Sequence, residues 1–246
     1  MTRPVLVTGG TGTLGRAVVA RLGELGHPVR IASRRPGRDH TTVAVDYRSG
    51  NGLAEALDGV SAIVHCAGEY RRNDVDRRLI EAALAAGRPH LVYISIVGVD
   101  RIPLGYYRVK LAAERLIERS GLPWSVLRTT QFHDFVPQYW GPMMRLPVVP
   151  VPAGMRLQPI DVRDVAARLV ELATTGPAGR VPDIGGPDIQ AFADVVRAYL
   201  RARDRRRIVL PIAFPGRTMR AFRSGANLVP EAAVGKITYA QYLAER

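Results

Sequence analysis

The chain has 246 residues, with 35 Lys+Arg against 22 Asp+Glu, a formal charge of +13 and a single cysteine, Cys66. Its 47% hydrophobic residues suffice for a packed core and are too many for a disordered chain, while one cysteine allows neither an internal disulfide nor a cysteine-based zinc site. No run approaches the roughly 20 uninterrupted apolar residues that span a bilayer, and no long apolar stretch precedes a cleavage site at the N-terminus, so a cytoplasmic globular protein is expected, with no membrane contact and with one large domain or a domain carrying a small lobe.

The first half alternates short β-branched runs with amphipathic ones. Val5 to Thr8 reads as a buried strand, and Leu14 to Leu25 carries apolar residues at helical spacing. Strands follow at Pro28 to Ser33 and Thr42 to Val45, then a short helix at Leu53 to Leu57 and a strand at Ala62 to Cys66. Asp74 to Ala86 reads as a helix closed by Gly87, Leu91 to Ser95 as a strand, Tyr106 to Ser120 as a helix closed by Gly121, and Trp124 to Leu127 as a strand. This alternation predicts right-handed βαβ crossovers, hence an α/β doubly wound parallel sheet of the Rossmann type. The unbroken apolar runs Val5-Leu6-Val7 and Ala62-Ile63-Val64 suit strands covered on both faces.

Beyond Thr130 the rhythm changes. Pro147, Pro150 and Pro152 make Met143 to Met155 loop or edge structure. Helical spacing returns at Asp161 to Thr174, a short edge strand is expected at Arg180 to Ile184, and Gln190 to Arg203 reads as a helix followed by a basic stretch with short helical fragments. The expected layout is a dinucleotide-binding core over 1–186 and a small C-terminal substrate lobe over 187–246, with 131–158 partly in the lobe.

The most informative segment is Val7-Thr8-Gly9-Gly10-Thr11-Gly12-Thr13-Leu14-Gly15, which lies between a strand and a helix. Glycine permits the tight turn and lets backbone approach a pyrophosphate, and the following helix offers free N–H groups and a positive dipole end. The spacing T-G-G-x-G-x-x-G resembles the short-chain dehydrogenase/reductase superfamily, in its extended and atypical, NmrA-like branches. Ala67-Gly68 after the fourth strand, the serine of the fifth strand, the Tyr-x-x-x-Lys helix and Arg128-Thr-Thr-Gln-Phe stand in the expected order, so the resemblance covers about the first 190 residues.

An NAD-selective site usually carries an acid about 20 residues past the glycines. That place holds Ser33-Arg34-Arg35, a hydroxyl and two guanidinium groups suited to a 2′-phosphate, so NADP(H) is expected over NAD(H). By resemblance, Asp46 contacts the adenine. The small Ala67 and Gly68 leave room for the cofactor.

Tyr106 and Lys110 are one helical turn apart and share a face. A nearby ammonium favours the phenolate, and such a tyrosine can exchange a proton with a carbonyl substrate. The resemblance makes Tyr106 the acid/base and gives Lys110 the nicotinamide ribose. It also gives Ser95 the substrate carbonyl, although Ile96 and Val97 follow where the family often has further hydroxyls. Gln131 is expected beside the nicotinamide. Phe132 and His133 are expected at the substrate, with His133 read as a pocket cap rather than a proton shuttle. Tyr139 and Trp140 suit an apolar substrate wall or lobe packing.

The other histidines lack metal-ligand spacing, and no metal is expected. Only Lys110 and Lys236 are lysines, an arginine skew that fits codon usage in a GC-rich genome as well as attraction of an anion. The run Arg201 to Arg207 lacks interleaved aromatics and reads as a solvated face, so nucleic acid is not expected. The resemblance thus implies an NADPH-dependent oxidoreductase for a small apolar carbonyl, enone or quinone. An NmrA-like redox sensor without turnover and a redox-neutral epimerase or dehydratase remain alternatives on the same scaffold.

Overall fold

The computed structural model describes residues 3–35, 41–68 and 71–246. In chain order the elements are β1 (Val5–Thr8), α1 (Thr13–Glu24), β2 (Val29–Ser33), β3 (Thr42–Ala44), α2 (Leu53–Leu57), β4 (Ala62–His65), α3 (Asp74–Ala85), β5 (His90–Ile96), α4 (Gly105–Glu118) and β6 (Trp124–Thr129). There follow α5 (Phe135–Trp140), β7 (Val148–Pro152), β8 (Arg156–Leu157), α6 (Val162–Thr175), β9 (Gly179–Arg180), β10 (Gln190–Ala191), α7 (Phe192–Ala202), β11 (Ile208–Ile212), α8 (Arg217–Arg223) and α9 (Tyr239–Ala244).

These elements divide into two compact units. The first comprises Met1–Ser95, Gly105–Arg128 and Val165–Pro182; the second comprises Ile96–Leu104, Thr129–Asp164 and Asp183–Arg246. The first holds a seven-stranded sheet in the order β3-β2-β1-β4-β5-β6-β9, a Rossmann-like α/β fold. Strand order reverses between β1 and β4, and such a switch point opens a crevice beyond the carboxyl ends of the strands.

The register places Thr8 of β1 beside His65 of β4, and His65 beside Tyr93 of β5. Side chains alternate faces along a strand, so Leu6, Ile63 and Leu91 share a face with that polar row. This face packs on Leu79 and Ala83 of α3 and on Ala113 and Ile117 of α4. The buried positions of α4, Tyr107, Lys110, Ala113, Glu114 and Ile117, recur at helical spacing, which is why the segment is a helix with one inward stripe.

In the second unit, β7 and β11 pair in parallel and β8 and β10 pair antiparallel. The proline-rich stretch forms an edge strand, as Pro150 and Pro152 require. Several elements differ from the periodicity reading: the strand expected at Arg180 to Ile184 is reduced to Gly179–Arg180, and Phe135–Trp140 and Arg156–Leu157 form a helix and a strand where none was expected. Gln190–Ala191 leaves the expected helix to pair with β8, and α7 begins at Phe192. Ile208–Ile212 is a strand rather than a helical fragment, because its β-branched residues find a ladder on β7 that no local pattern announces.

Candidate active site

The loop after β1 turns as its glycines allow. Gly9 takes φ +65°, and a Cβ there would lie 2.9 Å from the Ala67 nitrogen. A Cβ on Gly15 would overlap the Gly9 carbonyl, so this glycine is required for α1 to start against the loop. Gly12 N donates to Gly9 O at 2.9 Å and caps α1 without a side chain, and no acid lies in the first turn of that helix. The first turn therefore presents backbone N–H groups and a positive dipole end to an anion. Thr11 and Thr13 are exposed, whereas Leu14 is buried and anchors the helix. Among the described residues, a Cβ on Gly68 would meet no neighbour. This cradle fits a dinucleotide pyrophosphate.

At the end of β2, Arg34 and Arg35 are exposed, and Arg35 N donates to the half-buried Ser33 Oγ at 3.4 Å. Asp46 follows β3 and organises a turn, accepting from Arg48 N at 2.9 Å and Ser49 Oγ at 2.8 Å. Those bonds, the Arg48 amide foremost, hold its carboxyl below the usual range.

Tyr106 and Tyr107, adjacent in sequence, separate in space. Tyr107 is buried in the core and Tyr106 is half-exposed at the first turn of α4. Lys110 is buried; its Nζ donates to Ile94 O at 2.7 Å and stands 3.9 Å from the centroid of the Tyr93 ring. Burial lowers its pKa to about 8, while Asp76, Cys66 and Glu114 pull the other way. Strand parity puts Ser95 on the Tyr93 face of β5 and Ile96 on the opposite one. Ser95 is only 2% exposed, and its Oγ has no hydrogen-bond partner among the described residues.

The Glu of the Tyr-x-x-x-Lys-x-x-x-Glu run, Glu114, has a structural partner. Arg128 Nε donates to its Oε1 at 2.9 Å and Arg128 Nη2 to its Oε2 at 2.6 Å, a buried fork joining β6 to α4.

The remaining expected site residues lie in the second unit. Gln131 is nearly buried, with Asn227 Nδ2 at 3.5 Å from its Oε1. Phe132 is half-buried and bridges to Ile160. His133 is buried with its ring 5.4 Å from Tyr239 and 4.9 Å from Tyr242, and its Nε2 bonds the Ile237 carbonyl at 3.0 Å. Burial holds its pKa low despite that carbonyl. Trp140 donates from Nε1 to Pro150 O at 3.0 Å and meets Phe192 edge-on at 4.7 Å, whereas Tyr139 is largely exposed. His133 and Trp140 are thus held by packing within their own unit.

Periodicity passes over three further buried polar residues of the first unit: Thr8, His65 and Asp76. One signal was available. Asp76 sits on the same helical stripe as Leu79, Ile80 and Ala83, where a carboxylate is out of place without a partner. Among the described residues no helix is long and apolar enough to cross a membrane, and no group of three or more His, Cys, Asp or Glu is placed to hold a metal.

Residues 9–175 match the family described as NAD(P)H-binding. The (4-alkanoyl-5-oxo-2,5-dihydrofuran-3-yl)methyl phosphate reductase of Streptomyces griseus is 34% identical over 195 residues, 75% of this chain and 68% of the relative. The NAD(P)H azoreductase of Xenophilus azovorans is 29% identical over 213 residues, 82% of this chain and 74% of the relative. Other relatives are matched over 19–57% of their own length. Among solved structures, the NADPH-dependent quinone oxidoreductase QOR2 of Escherichia coli, complexed with NADPH, superposes with a TM-score of 0.81 over 98% of this chain and 99% of that one, at 18% identity. The glycine cradle, the strand order and these likenesses agree: the chain belongs to the NAD(P)H-binding family.

Proposed function

We propose that the protein is an NADPH-dependent oxidoreductase that reduces a small apolar carbonyl, enone or quinone. The observation that carries this reading is the grouping around β5. Half-exposed Tyr106 lies one helical turn from buried Lys110, whose ammonium sits over the Tyr93 ring, and the Ser95 hydroxyl, without a partner among the described residues, is on the same strand face. The reductase names of the Streptomyces and Xenophilus relatives support the same class.

When bound, a reduced nicotinamide supplies the hydride. Tyr106 gives its phenolic proton to the carbonyl oxygen, and the Lys110 ammonium favours the phenolate left behind. Ser95 donates a hydrogen bond to the same oxygen as charge develops on it. An ammonium has three donors; Lys110 uses one on Ile94 O, which leaves donors for a ribose hydroxyl. The glycine loop and the first turn of α1 take the pyrophosphate, Asp46 accepts from the adenine amine, and Arg34, Arg35 and Ser33 take the 2′-phosphate. The competing reading, a redox sensor that binds dinucleotide without turnover, rests on Ile96 and Val97 following Ser95.

The test is NADPH oxidation, followed by absorbance, over a panel of ketones, enones and quinones, with NADH in parallel. Turnover with NADPH is expected; tight NADPH binding with no substrate consumed transfers the lead to the sensor. For the cofactor, Arg34→Ala is expected to lose roughly 1.5–3 kcal/mol of NADPH binding, about 10- to 100-fold, the worth of a charge-assisted contact, with little change for NADH. Isothermal calorimetry reads both constants, and equal affinity of the unmutated protein for the two cofactors defeats the assignment.

A further inference from the structure

The row Thr8–His65–Tyr93, with Asp76 from α3, is a continuous polar chain inside an otherwise apolar layer. Ala67 N donates to Thr8 Oγ1 at 3.2 Å; Thr8 Oγ1 and His65 Nδ1 are 2.6 Å apart; His65 Nε2 and Asp76 Oδ1 are 3.2 Å apart. The assignment that uses every donor has the Thr8 hydroxyl donating to Nδ1 and Nε2–H donating to the carboxylate. The His65 ring in turn lies 5.6 Å from the Tyr93 ring, and the face of the Tyr93 ring carries the Lys110 ammonium. An electron-rich ring face is itself a seat for a cation, and a buried carboxylate nearby adds to that attraction.

We propose that Asp76 is a positioning residue for Lys110: held by His65, it is the buried counter-charge that keeps the Lys110 ammonium charged and seated on the Tyr93 ring. The role of Lys110 toward the cofactor rests on the function proposed above; the coupling between the two residues does not.

The groups facing Lys110 leave Asp76 as the effective partner. Glu114, on its own helix, is already forked to Arg128 of β6. Cys66, after β4, has its thiol pushed up to about 12 by burial and is uncharged. Tyr93 of β5 is raised by burial and by Asp76, and is also uncharged. Tyr106 is the phenol that Lys110 is to tune, and His65 of β4 meets Asp76 rather than the ammonium. Burial raises Asp76, but His65, Lys110 and Tyr93 together hold it below the ordinary carboxylate range, so it is charged throughout the range in which Lys110 titrates.

The chain contains only two lysines, Lys110 and the exposed Lys236, so ¹³C-lysine labelling resolves each side chain by NMR without the cofactor. Lys110→Arg assigns the signal. In the unmutated protein the Lys110 midpoint is expected to be lowered by burial to about 8. Removing the opposing negative charge in Asp76→Asn lowers that midpoint by about one pH unit or more, and Asp76→Glu returns most of it. The alkaline limb of the kcat profile moves in the same order. In the unmutated protein the Asp76 carboxyl carbon also inflects at the Lys110 midpoint, a reading that stands even if Asp76→Asn does not fold. An unchanged Lys110 midpoint in Asp76→Asn, or an Asp76 carbon blind to the Lys110 titration, overturns the proposal. If the midpoint shifts but no substrate is reduced, the coupling stands and the oxidoreductase reading fails. If ketones are reduced and the midpoint is fixed, the reverse holds.

Discussion

Tyr106→Phe is expected to lower the rate of ketone reduction by about 10²–10⁴-fold, the usual worth of a positioned general acid, with folding and NADPH affinity nearly unchanged. The variant removes one hydroxyl and little volume, and Tyr106 is half-exposed while its neighbour Tyr107 fills the core. Tyr107→Phe is therefore the control, because that side chain serves packing and should keep its rate. Lys110→Met should do more than Tyr106→Phe, since it removes both the charge that tunes the phenol and the donor aimed at the ribose. Quinones are expected to show a smaller Tyr106 effect, because their reduction depends less on protonating a single oxygen. Single-turnover kinetics on one ketone separate chemistry from binding, and full activity of Tyr106→Phe on that ketone refutes the acid assignment.

The second large effect is on stability. Arg128→Met leaves the Glu114 carboxylate buried without its fork, and breaking a buried ion pair from one side typically costs about 3–5 kcal/mol. That is a large part of the roughly 5–15 kcal/mol by which domains are stable. At about 2–4 °C per kcal/mol for a chain of this size, Tm should fall by about 6–20 °C. The cost comes from stranding a charge rather than from the intrinsic strength of the pair, so the double variant Glu114→Leu/Arg128→Met should recover much of it. Calorimetric unfolding of the three proteins decides this. A single variant within about 1 kcal/mol of the parent shows that water or a rearranged side chain satisfies Glu114. The same measurement explains why a glutamate ends the Tyr-x-x-x-Lys-x-x-x-Glu run: it ties the helix bearing Tyr106 and Lys110 to β6.

Features that depend on local physics were readable in the chain itself. Strands buried on both faces must be continuous apolar runs, a glycine loop before an uncapped helix start makes an anion cradle, and residues one helical turn apart share a face. Hence the sheet, the glycine turn from Gly9 to Gly15 and the placing of Tyr106 and Lys110 one turn apart on a helix followed from spacing alone. Three matters waited for the tertiary structure, because each depends on partners distant in sequence. The β-branched run Ile208–Ile212 is a strand only because β7 offers it a ladder. His133 has suitable chemistry for a proton shuttle, yet Tyr239 and Tyr242, roughly a hundred residues later, enclose its ring. Thr8, His65, Asp76 and Tyr93 lie on four separate elements, and only the parallel register of β1, β4 and β5 with α3 docked on them sets them in one row beneath Lys110. Periodicity reports which face a residue is on; which charge it meets across that face is decided by strand register and helix docking.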